Sequence, residues 1–219
     1  DKVGILMANC VDFVALMFGA SLVGAIGVLY NARFKAREIA HVTVDSGVKV
    51  IITNDITEQH TNYVELLRRA IPELAYNKVQ EHESGQNAFI SFESAPQLHV
   101  AISLGSSNEQ GFLGRQAFYK LGEDCAPEVV EQRREKIDVE DQALMIYTSG
   151  TTAMPKGCPL NHIVLQHAGV VGGIERMGLQ PSDIMWGPLP MFHTAFIQPL
   201  TGILYVGGTY LSMTHFDAD

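Results

Sequence analysis

Cysteine, tryptophan and positive charge are all scarce in this 219-residue sequence, and each shortage removes a class of protein. Cys10, Cys125 and Cys158 are too few and too scattered for a disulfide scaffold or a compact zinc site. They read as reduced thiols in a cytoplasmic protein. Lysine and arginine number 15 against 24 acidic residues, for a formal net charge of −9. That balance excludes the basic footprint with which a protein follows a nucleic-acid backbone. The single tryptophan, Trp186, has no basic residues interleaved around it, so it reads as a core or pocket-wall residue rather than a stacking platform. ATP stays open, because one phosphate pocket needs local donors rather than a positive protein.

Charge is missing altogether from Phe13 to Ala32, a stretch long enough to raise the question of a transmembrane helix. Gly19, Gly24 and Gly27 interrupt it, and VGAIGVLYN turns from small residues to a β-prone run. A buried helix, a turn and a buried strand account for it without lipid. There is no signal-peptide pattern, internal repeat or low-complexity tract. The chain opens DKVGILMAN without an initiator Met, and is expected to begin inside a longer gene product.

What is plentiful is hydrophobic residues, 47% of the chain, enough for the core of one large domain or two small ones. Apolar runs at Val3–Met7, Ile26–Leu29, Val48–Ile52, Leu98–Leu104 and Ala143–Tyr147 predict strands without polar alternation. Helices are expected over Phe13–Val23 with Asp12 as cap, Lys35–Asp45, Asn62–Ile71, and Asn161–Met177 with Asn161 as cap. A short strand is expected at Phe89–Phe92; Glu109–Gly122 gives no clear pattern, and Cys125–Asp141 is charged and solvent-facing. Strands at Ile184–Trp186 and Thr209–Met213 bracket a loop at Pro190–Thr194 and a helix at Ala195–Tyr205. Strand, helix, strand in this order predicts an α/β fold: mostly parallel sheets flanked by helices in αβα layers.

Chemistry concentrates at Tyr147-Thr148-Ser149-Gly150-Thr151-Thr152-Ala153-Met154-Pro155-Lys156-Gly157. The segment leaves a buried strand, where α/β proteins commonly bind ligands. Thr148, Ser149, Thr151 and Thr152 supply hydroxyls, loop N–H groups form anion nests, Gly150 permits close approach, and Lys156 adds a mobile charge suited to phosphate. The same residue types also compose an ordinary solvated turn, and composition alone does not separate the two. Other motifs are excluded by spacing. Pro155 precedes Lys156 where a Walker loop has glycine, and Gly157 follows where it has Ser or Thr. Neither GxGxxG nor a GxSxG elbow around Ser149 is present.

The segment closely resembles the YTSGTTGxPKG signature of the AMP-forming adenylating superfamily, which includes acyl- and aryl-CoA synthetases, luciferases and peptide-synthetase adenylation domains. It departs at Ala153, where glycine is usual. Residues 3–34 and 35–52 resemble the early strand–helix blocks of that family. Leu189-Pro190-Met191-Phe192-His193-Thr194 resembles its second short motif, and Gly207-Gly208-Thr209 with Phe216-Asp217 its continuation. The likeness runs over nearly the whole chain.

The resemblance implies that a carboxylic acid attacks the α-phosphorus of ATP, pyrophosphate leaves, and the acyl-adenylate passes its acyl group to CoA. Residues 147–157 become the phosphate-binding loop, with Thr148, Ser149, Gly150, Thr151, Thr152, Ala153 and Lys156 around ATP and Lys156 stabilising charge. His193 stands near the carboxylate, orienting substrate rather than acting as a base. Magnesium is implied as the partner of the phosphates, with no metal ligand assigned in the chain. Residues 1–219 then correspond to part of a large N-terminal adenylating domain, without the adenine and ribose motifs or the C-terminal domain and its lysine. On that view the chain by itself is inactive while its parent is a ligase. FHTA at 192–195 lacks the aspartate with which peptide-synthetase domains hold an ammonium, which favours an acyl- or aryl-CoA synthetase. Another acceptor, or a noncatalytic nucleotide-binding fragment, remains the alternative. The other histidines (His41, His60, His82, His99, His162, His167, His215) show no metal spacing, and His162 resembles a structural histidine of the family.

Overall fold

The computed structural model describes residues 1–76, 92–148 and 154–214. Most of the expected Phe89–Phe92 strand, together with Ser149–Ala153 and Phe216-Asp217, lies outside the described residues. Seven strands form one sheet: β1 (Lys2–Ile5), β2 (Ile26–Leu29), β3 (Val50–Thr53), β4 (Val100–Ser103), β5 (Leu113–Gly114), β6 (Gln142–Tyr147) and β7 (Gly157–Asn161). Their order is β5-β4-β3-β1-β2-β6-β7. Every neighbouring pair is parallel except β6 with β7.

The order of strands decides where the helices go. From β1 the chain steps to β2, then returns past β1 to β3 and on to β4. With right-handed crossovers this places α1 (Val11–Leu22) on one face, and α2 (Ala36–Ser46) and α3 (Tyr63–Ala70) on the other. Two cores result. Phe13 and Met17 of α1 pack with Ile5, Leu29 and Leu144, whereas Ile39 and Val42 of α2 and Leu67 of α3 pack with Leu6, Val28 and Ile51. Apolar side chains on both faces explain why these strands show no alternation. The uncharged stretch from Phe13 is α1, a turn at Gly24 (φ 72°) and β2. Among the described residues no helix is long and apolar enough to cross a membrane.

Several local expectations need correction. Asp12 does not cap α1: Cys10 holds the N-cap position without a side-chain bond, and Asp12 lies in the first turn, 3.2 Å from Arg115. Asn161 precedes α6 (His162–His167) as expected but makes no capping bond, and its Oδ1 is buried without a partner. Beyond α6 the helix widens into a π-helix, Ala168–Arg176. The sequence at 109–122 yields β5 and α4 (Arg115–Glu123). The charged stretch at 125–141 carries α5 (Pro127–Arg134), which buries no residue.

A second, two-stranded parallel sheet joins β8 (Ile184–Gly187) to β9 (Thr209–Ser212) across α7 (Thr194–Tyr205). Phe196 of α7 meets Tyr210 edge-on at 5.4 Å. Trp186 is 58% exposed and not a core residue, because the face of β8 that it shares with Ile184 points away from α7. Alpha7 also packs on the π-helix, where the two backbones touch. A Cβ on Gly173 would sit 2.6 Å from the Cα of Gly202, and one on Gly202 would sit 2.9 Å from the Cα of Gly173.

Buried Glu73 ties the two sides of residues 77–91 together by accepting from the Ser94 N–H (2.8 Å) and hydroxyl (2.7 Å). Burial pushes its pKa up, but the Ser94 bonds outweigh burial and leave it below the usual value. A lowered folded-state pKa stabilises above the ordinary carboxylate range, and that contribution is lost as pH falls through the folded value. Glu73→Gln is therefore expected to lower stability near neutral pH by about 1 kcal/mol. In urea melts the gap from wild type should close in acid, and a gap that does not change with pH would refute this account.

Candidate functional site

The expected phosphate loop proves to be the connection of a β-hairpin. Beta6 carries Leu144 and Ile146 into one core and ends at buried Tyr147. Beta7 returns antiparallel beside it, pairing Gly157 with Tyr147 and Cys158 with Ile146. This strand was not anticipated, since Gly157 and Pro159 argue against a central strand. At a sheet edge the missing N–H of Pro159 costs nothing. Gly157 is closely approached: a Cβ there would lie 3.1 Å from both the Tyr147 ring and the Met145 sulfur, so those side chains would have to shift slightly.

Thr148 and Lys156, the outermost described residues of the expected site, are brought together. The Thr148 N–H donates to the Lys156 carbonyl at 3.1 Å, and the Lys156 N–H reaches the Thr148 hydroxyl at 3.4 Å. The two ends of the loop are thus tied together by one backbone bond and one to the Thr148 hydroxyl. Lys156 is exposed, and among the described residues its ammonium enters no ion pair. A cation on a closed base is an arrangement suited to an anion held over the loop. Ser149, Gly150, Thr151, Thr152 and Ala153 fall outside the described residues.

His193 stands on a different element, at the N-cap of α7. Its Nδ1 accepts from the Ala195 N–H at 3.2 Å. An accepting Nδ1 carries no proton, so in the neutral ring the proton sits on Nε2. The exposed ring therefore offers a donor to an oxyanion. Among the described residues no hydrogen bond joins His193 to Thr148 or Lys156.

Sequence reasoning missed the residue that seats this second segment. Asn9, after β1, donates from Nδ2 to the Leu189 carbonyl (2.9 Å) and accepts at Oδ1 from the Met191 N–H (2.8 Å). One amide side chain thereby fixes the chain leading into His193 to the carboxyl side of β1. Buried Met191 and half-buried Phe192 pack into the same core as Phe13 and Met17. Among the described residues no cluster of three or more His, Cys, Asp or Glu side chains could hold a metal ion. Cys10, Cys125 and Cys158 are free, and half-buried Cys10 has its thiol pKa pushed up by desolvation.

A mostly parallel sheet covered by helices on both faces defines an α/β fold, a class that hosts many unrelated functions. Comparison with known proteins narrows that class. The family model described as AMP-binding enzyme matches residues 1–219, and the chain belongs to that family. YngI of Bacillus subtilis (strain 168), named as an acyl-CoA synthetase, is 28% identical over 219 residues, covering 99% of this chain and 38% of its own. Long-chain-fatty-acid–CoA ligase FadD13 of Mycobacterium tuberculosis is 26% identical, covering 100% of this chain and 36% of its own. The crystal structure of the N-terminal domain of FACL13 from Mycobacterium tuberculosis, with inhibitor bound, superposes at a TM-score of 0.68 and 25% identity. That match covers 100% of this chain and 45% of the other. The chain thus spans less than half the length of each of these relatives.

Proposed function

We propose that the protein containing this chain is an ATP-dependent acid–thiol ligase. It activates a carboxylic acid as its adenylate, then transfers the acyl group to CoA. The observation that carries the reading is the hairpin base formed by Thr148 and Lys156 after β6, with an exposed ammonium on the loop that matches the family signature. A carboxylate oxygen forms a bond to the α-phosphorus of ATP as the bond to pyrophosphate breaks. The CoA thiolate then attacks the acyl carbon, AMP leaves, and the thiol proton passes to solvent. Lys156 and the Thr148–Thr152 segment hold the β- and γ-phosphates and offset the charge that builds on departing pyrophosphate.

His193, with its proton on Nε2, donates to the carboxylate oxygen and orients the acid. It need not act as a base, because the acid is already ionised near neutral pH. Magnesium brought in with the nucleotide would supply charge neutralisation, since the described residues include no ligand cluster of their own to hold it. Relatives named for long-chain fatty acids and for 4-coumarate support an aliphatic or aryl acid. The 219 residues by themselves are proposed to be inactive, since one loop does not bring ATP, acid and CoA into reacting geometry.

The test is acid-dependent formation of AMP, pyrophosphate and CoA thioester by the full-length protein across a panel of aliphatic and aryl acids. Turnover on at least one acid is expected. MgATP binding without turnover on any of them would instead support a noncatalytic nucleotide-binding protein.

A further inference from the structure

Both feet of the hairpin loop are held by one face of α2. At the first foot, Tyr147 donates its hydroxyl to Asp45 Oδ2 at 2.7 Å. At the second, the buried Pro155 presents its carbonyl to His41 Nε2 at 2.9 Å. A carbonyl only accepts, so that nitrogen is the donor. His41 and Asp45 are four residues apart, which stacks them on one side of the helix. The helix is itself well anchored. Ile39 and Val42 are fully buried, Glu38 accepts from the Lys35 N–H at 2.7 Å, and Gly47 ends it at φ 66°.

We propose that His41 and Asp45 are positioning residues for the two ends of the β6–β7 connection: a two-point clamp that holds Tyr147 and Pro155, and with them the neighbouring Thr148 and Lys156, against α2. The proposal rests on the reading of that loop as a nucleotide-phosphate site. Among the described residues β7 is the last strand of the sheet, so no further strand supports it on its outer side. Two bonds from a well-anchored helix, one to each foot, supply that support. The bond to Asp45 is charge-assisted and therefore among the stronger ones available. Burial, and then the Asp45 carboxylate, push the Tyr147 hydroxyl pKa upward, so the phenol stays a donor at any working pH. Ends held in place keep Thr148 and Lys156 positioned for phosphate without reordering on each encounter.

The test uses the full-length protein carrying His41→Ala, Asp45→Ala, and the conservative pair His41→Gln and Asp45→Asn, which keep a donor and an acceptor in place. Each alanine variant is expected to raise KM for MgATP about tenfold while leaving KM for the acid within about twofold of wild type. The conservative variants should recover most of the loss. Trypsin cleavage after exposed Lys156 in the nucleotide-free protein gives a second readout, and should accelerate in the alanine variants alone. Melting temperatures separate loop effects from unfolding, and Tyr147→Phe, which keeps the ring, replaces Asp45→Ala if that variant does not fold. Wild-type KM and wild-type cleavage in the alanine variants would overturn the clamp. So would equal losses in the alanine and conservative variants. If the wild-type protein fails to bind MgATP, the phosphate-site reading falls, while the cleavage rates still decide whether α2 holds the loop.

Discussion

Replacing Lys156 with alanine in the full-length protein is expected to slow acyl-adenylate formation by about two to three orders of magnitude, the usual cost of removing one charge-stabilising donor from a transition state. The side chain is exposed and enters no ion pair among the described residues, so folding should not suffer. Its backbone bonds to Thr148 survive the substitution. Acid-dependent pyrophosphate exchange reads the effect directly. If Lys156 acts mainly as charge builds on the leaving pyrophosphate, kcat falls at least as far as kcat/KM. Lys156→Arg should retain part of the activity, since the charge remains but not the shape of the ammonium. Unchanged steady-state kinetics in the alanine variant would remove the lysine, and with it the phosphate-loop reading, from the mechanism.

The second large effect belongs to stability. Gly111 has φ 86°, and a Cβ built on it would lie within van der Waals overlap, 2.0 Å, of the Leu74 carbonyl oxygen. Backbone cannot yield as a flexible side chain does. Its neighbours are also fixed: Arg68 bonds the Gln110 carbonyl at 3.0 Å and Glu109 at 2.9 Å, and lies 5.8 Å from the centre of the Phe112 ring. Gly111→Ala therefore combines left-handed strain with a backbone collision, together costing about 3 kcal/mol. For a chain of this size that corresponds to a fall of about 6–12 °C in Tm. A shift below about 2 °C would show that the segment between the Pro72–Ala75 turn and β5 adjusts freely.

How much of this was legible depended on how local each cause was. The strand at Ile26–Leu29 has its expected bounds, and the runs around β1, β3, β4 and β6 were recognisable, because strands buried on both faces are continuous apolar segments. Alpha4 gave no signal since it buries no residue, and periodicity records burial rather than helicity. Beta7 escaped because its residues suit a turn, and only its edge position tolerates them. Asp12 was a reasonable cap by type, but the chain enters α1 two residues earlier.

In the candidate site, motif and residue type singled out Thr148, Lys156 and His193 but not their geometry. The base of the loop is closed largely by main-chain groups, which leave no trace in composition. Asn9 reaches Leu189 across 180 positions of sequence, and Asp45 reaches Tyr147 across 102. Neither partnership can be inferred from its neighbourhood. Nor did anything in the sequence around His41 or Asp45 mark what they touch.

The meeting of Gly173 with Gly202 has a bearing on how this protein can change over time. Most packed pairs drift by exchange, one partner growing as the other shrinks. Here each position already carries the smallest residue there is, so an enlargement on one side finds no concession on the other. The route from His193 along α7 to the π-helix therefore passes through a point where single substitutions cannot be rescued in place. Change along that helix would have to arise elsewhere.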